Sequence, residues 1–174
     1  MNKTKMTKWN IDMTHSEISF KVKHMMISNV TGYFEDFNVM VVTNNEGFIN
    51  AEFSFVAKTD SINTKNNDRD RHLKSDDFFN VEKYPELKFK SKTFDGNTLI
   101  GDLTIRDITK EIELDVDFNG IVIDPYGKTK AGFEITGSVN RKDFNLTWNA
   151  VTETGSIVVS DSVKLIINLQ FFTV

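Results

Sequence analysis

Residues Glu111–Gly120 read EIELDVDFNG. Ile112, Leu114, Val116 and Phe118 fall on one side of this stretch, and Glu111, Glu113, Asp115 and Asp117 on the other. Successive side chains of a strand point to opposite faces, so the spacing predicts a strand with one buried and one wet face. The same period of two spreads outward in both directions. Upstream, Leu99, Gly101, Leu103 and Ile105 alternate in TLIGDLTIRD, and Leu87 and Phe89 alternate with lysines in ELKFKSKTF. FINAEFSFVA places Ile49, Ala51, Phe53, Phe55 and Ala57 on one face, and small residues among large ones on an inward face suit a tapered barrel. SEISFKVKHMM puts Ile18, Phe20, Val22, His24 and Met26 together, and KWNID at 8–12 reads as a short opening strand. Residues 30–42 alternate in pieces, with Gly32 marking a bulge or a close approach. Downstream, Phe133, Ile135 and Val139 share a face, and SVKLIINLQFF forms the last strand.

The turns between these runs have suitable chemistry. TNNEG, Asp95-Gly96-Asn97 and DPYGK separate consecutive strands, and NLTWNAVTETGSIVVSD is the one long turn-rich loop. Eight or nine strands joined by hairpin turns, each with one wet face, predict an all-β antiparallel barrel or sandwich rather than a parallel α/β sheet.

One stretch breaks the pattern. Ile62–Pro85, INTKNNDRDRHLKSDDFFNVEKYP, reads as a helical insert at the mouth of a barrel. Asn66 or Asn67 supplies an N-cap, and Asp68 and Asp70 follow in the first turn, where the helix dipole favours acids. Ser75 with Asp76 and Asp77 reads as the cap of a second short turn, and Pro85 ends the segment. Leu73, Phe78 and Phe79 form its apolar side. Arg69, Asp70, Arg71, His72 and Lys74 form a charged side, read most simply as a solvated helical face.

Composition narrows the functional classes. The chain has 174 residues, enough for one sizeable domain, and a net charge of −4, which argues against nucleic acid as a partner. There is no cysteine, so thiolate chemistry and disulfides are excluded. His15, His24 and His72 show no short metal-ligand spacing, and no metal or cofactor is expected. No stretch approaches the about 18 apolar residues of a membrane-spanning helix. The N-terminus carries lysines with no apolar run behind them, so a cytoplasmic protein is expected. No nucleophile elbow, phosphate loop or dinucleotide motif is present, so catalytic residues are expected to be absent. Fifteen phenylalanines point to either a very aromatic solid core or an aromatic cavity.

Several short motifs, in order, make a specific match. They are W-x-I-D-x-x-H-S at Trp9–Ser16, F-x-V-K-H-M at Phe20–Met25, G-x-F at Gly32–Phe34, R-D-x-H-L-x-S-x-x-F-F at Arg69–Phe79 with Tyr84-Pro85, and N-R-x-D-F at Asn140–Phe144 followed by Trp148. Over nearly its full length the chain resembles the YceI-like, polyisoprenoid-binding, lipocalin-like proteins. The resemblance implies a single domain over residues 1–174, built as an extended antiparallel eight-stranded β-barrel with a short helical insert near one opening. It further implies a non-enzymatic protein that holds a long-chain isoprenoid or related amphiphilic lipid, such as a quinone or polyprenyl compound, for transport, storage or sequestration. Relatives are often dimeric and often periplasmic, so a homodimer is compatible with it.

Carried onto this chain, the resemblance together with the alternation makes Phe20, Phe34, Phe53, Phe55, Leu73, Phe78, Phe79 and Phe133 the expected walls of the lipid channel. His24, Arg69, Asp70 and His72 are the polar candidates near the ligand, although His24 reads more simply as a satisfied core histidine. The chain departs from its relatives at Asn145, where a glycine is common, and in the turn carrying Asp107 and Glu111. Two other readings stand beside the carrier: an enzyme acting on such a lipid, and a solid barrel serving as a stress-response interaction module.

Overall fold

The computed structural model describes residues 6–44, 47–150 and 158–173. Its strands are β1 (Met6–Ile11), β2 (Glu17–His24), β3 (Ser28–Phe34), β4 (Phe37–Asn44), β5 (Glu52–Lys58), β6 (Ile62–Asn63), β7 (Glu86–Phe94), β8 (Thr98–Ile105), β9 (Ile108–Ile123), β10 (Thr129–Asn140) and β11 (Val159–Phe172). One α-helix, α1 (Asn67–Lys74), lies between β6 and β7.

All pairings are antiparallel, in the order β1-β4-β5-β7-β8-β9-β10-β11-β2-β3-β6, and β1 also pairs with β11. Three long strands are each broken once, as β1/β2, β3/β4 and β5/β6. β1 pairs with β4 while β2 pairs with β3, and β5 pairs with β4 while β6 pairs with β3. Counted whole, eight strands run up and down, each beside the next. The last meets the first at Ile11↔Phe171 and Ile18↔Ile167, which closes the barrel. Closure removes the free sheet edges that an open meander would expose.

The acidic and apolar faces of β9 separate as its alternation predicts: Leu114 and Val116 are buried, and Glu113 and Asp115 are exposed. Two positions differ from that simple reading. Phe118 keeps the inward parity yet remains part exposed at the barrel's end. Ile49 is 65% exposed and Phe48 is buried in its place. The strand begins only at Glu52, and the residues before it form a turn with Asn50 at φ 65°, so parity does not carry back to Ile49. Gly32 is a close approach: the Phe20 ring lies over its Cα and leaves no room for a side chain.

The insert is one helix followed by a turn, in which the Phe78 N–H donates to the Ser75 carbonyl at 3.0 Å. The Asn66 side chain accepts from the Arg69 N–H at 3.0 Å and caps α1. Ser75 ends the helix, with its N–H and its hydroxyl both donating to the His72 carbonyl. Asp60 holds Lys74 at 3.3 Å, the Thr59 hydroxyl donates to the Tyr84 carbonyl at 2.8 Å, and Arg106 donates to the Phe78 carbonyl at 3.1 Å. These bonds anchor the insert across the end of the barrel where β5, β8 and β10 finish and β7, β9 and β11 begin.

Candidate functional site

The two ends of the barrel differ. At one end Phe48, from the turn before β5, packs on Trp9 (ring centroids 5.0 Å), Phe118 (5.1 Å) and Phe133 (4.9 Å). Phe133 also meets Phe53 and Phe171, both at 5.8 Å, and Phe53 meets Phe94 at 5.2 Å. Tilted and edge-on rings at these spacings are favourable aromatic contacts, and together they form a plug. Beside it Asp12 accepts from the Thr14 N–H and hydroxyl, from Lys130 Nζ at 3.1 Å and from Gln170 Nε2 at 3.3 Å, and it lies 3.0 Å from His15 Nδ1. Burial alone would raise the Asp12 pKa, but the hydrogen bonds from Thr14, His15 and Lys130 outweigh it and hold the carboxyl well below its ordinary value.

The other end is covered by two loops. Leu73, Phe78 and Phe79 come from the insert, and Phe144 and Leu146 from the segment after β10. His72 joins them, its ring 5.1 Å from Phe78 and 4.6 Å from Trp148, while its Nε2 lies 2.8 Å from Asp77 Oδ2. Arg141 ties the second loop to β11. Its Nε donates to the Ser160 carbonyl at 2.8 Å, its Nη1 to the carbonyls of Leu146 and Trp148, and its Nη2 to that of Val159 at 3.3 Å. Its side chain is buried; desolvation lowers its pKa and the Asp161 carboxylate partly restores it.

Between plug and lid lies a cavity of about 180 Å³. Its walls come from nearly every strand and from both loops, and among the described residues Ser19 and Arg141 are the only lining residues with polar side chains. Their polar atoms are spent on the backbone: the Ser19 hydroxyl donates to the Ile166 carbonyl at 2.8 Å and the Arg141 guanidinium serves the four carbonyls above. Phe20, Phe55, Ile112, Leu165 and Ile167 face inward and yet are only half-buried, because they border this space. Such a chamber offers hydrocarbon contact and almost nothing else.

A profile of the YceI-like domain matches residues 9–171. The chain belongs to the YceI-like family. A UPF0312 protein of Staphylococcus aureus is 40% identical over 172 residues, covering 95% of this chain and 98% of the relative. BcnA of Burkholderia cenocepacia shares the fold with a TM-score of 0.78 at 19% identity, over 92% of this chain and 98% of that one. A polyisoprenoid binding domain of Saccharophagus degradans shares it with a TM-score of 0.71 at 13% identity, over 98% of this chain and all of that one.

In this YceI-like barrel seven of the eight expected wall residues surround the cavity: Phe20, Phe34, Phe53, Phe55, Leu73, Phe78 and Phe79. Phe133 does not. It points inward, but at the level of the plug, where it is 1% exposed. The four polar candidates also lie off the wall. His24 ends β2 opposite Val159 and Ser28. Asp70 accepts from the Thr64 N–H and hydroxyl, and Arg69 donates to the Thr64 hydroxyl at 2.8 Å and its carbonyl at 2.7 Å, so both fasten the start of α1. His72 bridges insert and lid. The residues that periodicity alone did not single out are Arg141, Phe144 and Leu146. The signal for Arg141 and Phe144 was the N-R-x-D-F motif, which is a turn pinned by a buried arginine, and Leu146 follows it.

Proposed function

We propose that this YceI-like barrel is a non-enzymatic carrier that holds the hydrocarbon of a long-chain amphiphile, an isoprenoid such as a polyprenyl or quinone compound. The observation that supports this most directly is the cavity wall, in which the two polar side chains turn their polar atoms into the backbone. A ligand held there gains about 0.8 kcal/mol per buried CH₂ and needs no polar partner. The fold shared with the Saccharophagus degradans polyisoprenoid binding domain points the same way.

The free space of about 180 Å³ is below the roughly 300 Å³ at which ligand pockets usually begin. A long chain therefore enters as an extended thread and displaces lid side chains, chiefly Leu73, Phe78, Phe144 and Leu146. The head group stays outside at the mouth.

Organic extraction and native mass spectrometry of protein purified from its own host test this reading. A lipid-sized mass on the folded protein is expected, and Phe78→Ser is expected to lower lipid retention more than it disturbs folding. A protein that carries no lipid and takes up none of an added short polyprenol is a solid barrel, and the carrier reading then fails.

A further inference from the structure

We propose that the turn between β2 and β3 docks the protein on an anionic lipid bilayer, with the barrel's mouth held against it. In this turn sequence and backbone disagree. Its Ile27 N–H donates to the His24 carbonyl at 3.2 Å, and both central residues have positive φ, Met25 at 51° and Met26 at 60°. That backbone suits Asn-Gly, because L side chains are disfavoured in the left-handed region. Here it carries two methionines, and Met26 and Ile27 stand 56% and 80% exposed. A local conflict of this kind marks a site kept for something other than stability.

The strands leading to the tip carry its charge. Lys21, Lys23 and Lys164 point outward, and Lys21 sits directly opposite Lys164 across the β2–β11 pair. Like charges in that position repel. None of the three has a carboxylate within salt-bridge distance among the described residues, and the nearby Asp161 is held by Lys142 at 3.3 Å. Their other cross-strand neighbours Asn29, Thr31 and Ser138 are uncharged. An apolar tip above a basic patch that no carboxylate among the described residues neutralises, on a chain of net charge −4, is complementary to an anionic lipid surface.

The tip's position gives the contact a purpose. The Met25 N–H donates to the Val158 carbonyl at 2.8 Å, and Val22 and Val159, next to the tip, line the cavity. The second apolar surface, Ile121–Ile123 with Tyr126, lies at the plugged end, far from any opening.

The test is sedimentation of the full chain with vesicles of phosphatidylglycerol and phosphatidylcholine, against phosphatidylcholine alone. Binding is expected only with phosphatidylglycerol, and salt weakens it. Lys21→Glu with Lys23→Glu is expected to lower binding at least fivefold per site. Met25→Asn with Met26→Gly gives the turn the residues its backbone prefers, so thermal stability should hold or rise while vesicle binding falls several-fold. Equal binding of that variant, or no pelleting with phosphatidylglycerol at low salt, overturns the proposal. So does self-association without vesicles that the same variant abolishes, which would assign the tip to a second copy. The vesicle assay is read without cargo, and lipid retention in the tip variants should match the parent, so its failure is distinct from failure of the carrier reading.

Discussion

At the plugged end of the barrel Phe48, Phe53, Phe118 and Phe171 pack around Phe133, with Trp9 against Phe48, and their rings come from strands or from a turn locked against them. At the lidded end Leu73 comes from the last turn of α1 and Phe78, Phe144 and Leu146 from the segments that follow α1 and β10, and what holds them is a set of side chain to backbone bonds made by Arg141, Arg106 and Thr59. Both ends exclude water with aromatic rings. The plug owes its position to the barrel's own hydrogen-bond ladder and opens only if the barrel opens. The lid owes its position to a few polar contacts, each of small net worth, and can open locally while the barrel stays closed. A closed floor and a detachable cover are what a single-mouthed container requires.

The sharpest way to break this comparison is at the centre of the plug. Phe133→Ala removes a ring that touches four others and should cost about 3–5 kcal/mol of global stability in urea unfolding. Lipid content of the protein that still folds should be unchanged. A loss of lipid with little loss of stability would mean that the floor is part of the channel.

The counterpart at the lid is Arg141→Lys. An ammonium cannot reproduce the fork that serves four carbonyls, so about 2 kcal/mol should be lost, with some of it recovered by water entering the loop. The difference should be local. Hydrogen exchange should accelerate at Leu146 and Asn149 well before the strand amides of β9 and β10 respond. Uniform acceleration throughout the barrel would show that the lid and the barrel unfold together.

Position along the barrel axis is what the sequence did not disclose. Period-two alternation reports which face of a strand a side chain occupies, and it placed Phe20, Phe53, Phe55 and Phe133 inward correctly. It carries no information about height, so Phe133 in the plug and Phe55 beside the cavity look alike. His24 shows the same limit, since it keeps the apolar parity of β2 but stands where the strand ends. Ile49 failed for a different reason: a turn lies between it and Glu52, and parity is meaningless across a turn. The three strand breaks leave a trace in the sequence, because the inward parity changes at each: odd to even between Trp9 and Ile18, even to odd between Phe34 and Phe37, and odd to even between Ala57 and Ile62. At the lid the capping residue Asn66 was legible, since an N-cap is a local event. The turn after Ser75 was legible as well, although the Ser75 hydroxyl bonds back to the His72 carbonyl and does not cap that turn.

A smaller effect at the closed end comes from Asp12. Its carboxyl titrates below the ordinary value in the folded protein, so its stabilisation is fully present above the unfolded pKa of about 3.9 and is lost as pH falls through the folded value. Asp12→Asn should therefore cost about 1–2 kcal/mol at pH 7, and the gap from the parent should shrink below pH 4. Urea midpoints at pH 7, 4 and 2.5 check this. A gap that stays constant with pH would mean that the carboxylate charge does nothing and only the shape of the side chain matters.

The smallest effect tests how the lid is built. Asn145 follows Phe144 with φ 60° and ψ 21°, in the left-handed region that favours glycine. Its N–H closes the turn onto the carbonyls of Arg141 and Lys142. Asparagine is among the few residues with a side chain that tolerate this conformation, so the turn forms without glycine. Asn145→Gly should then be nearly neutral, within about 0.5 kcal/mol, because relief in the folded state is offset by the greater freedom glycine gives the unfolded chain. Asn145→Ala has no such offset and should cost about 1 kcal/mol. If the lid is the detachable part, that cost should appear as faster exchange at Leu146 and easier lipid release, with little change in the global midpoint. An alanine variant that shifts the global midpoint as far as Arg141→Lys would instead make the N-R-x-D-F turn part of the barrel's closure, and the contrast between the two ends would disappear.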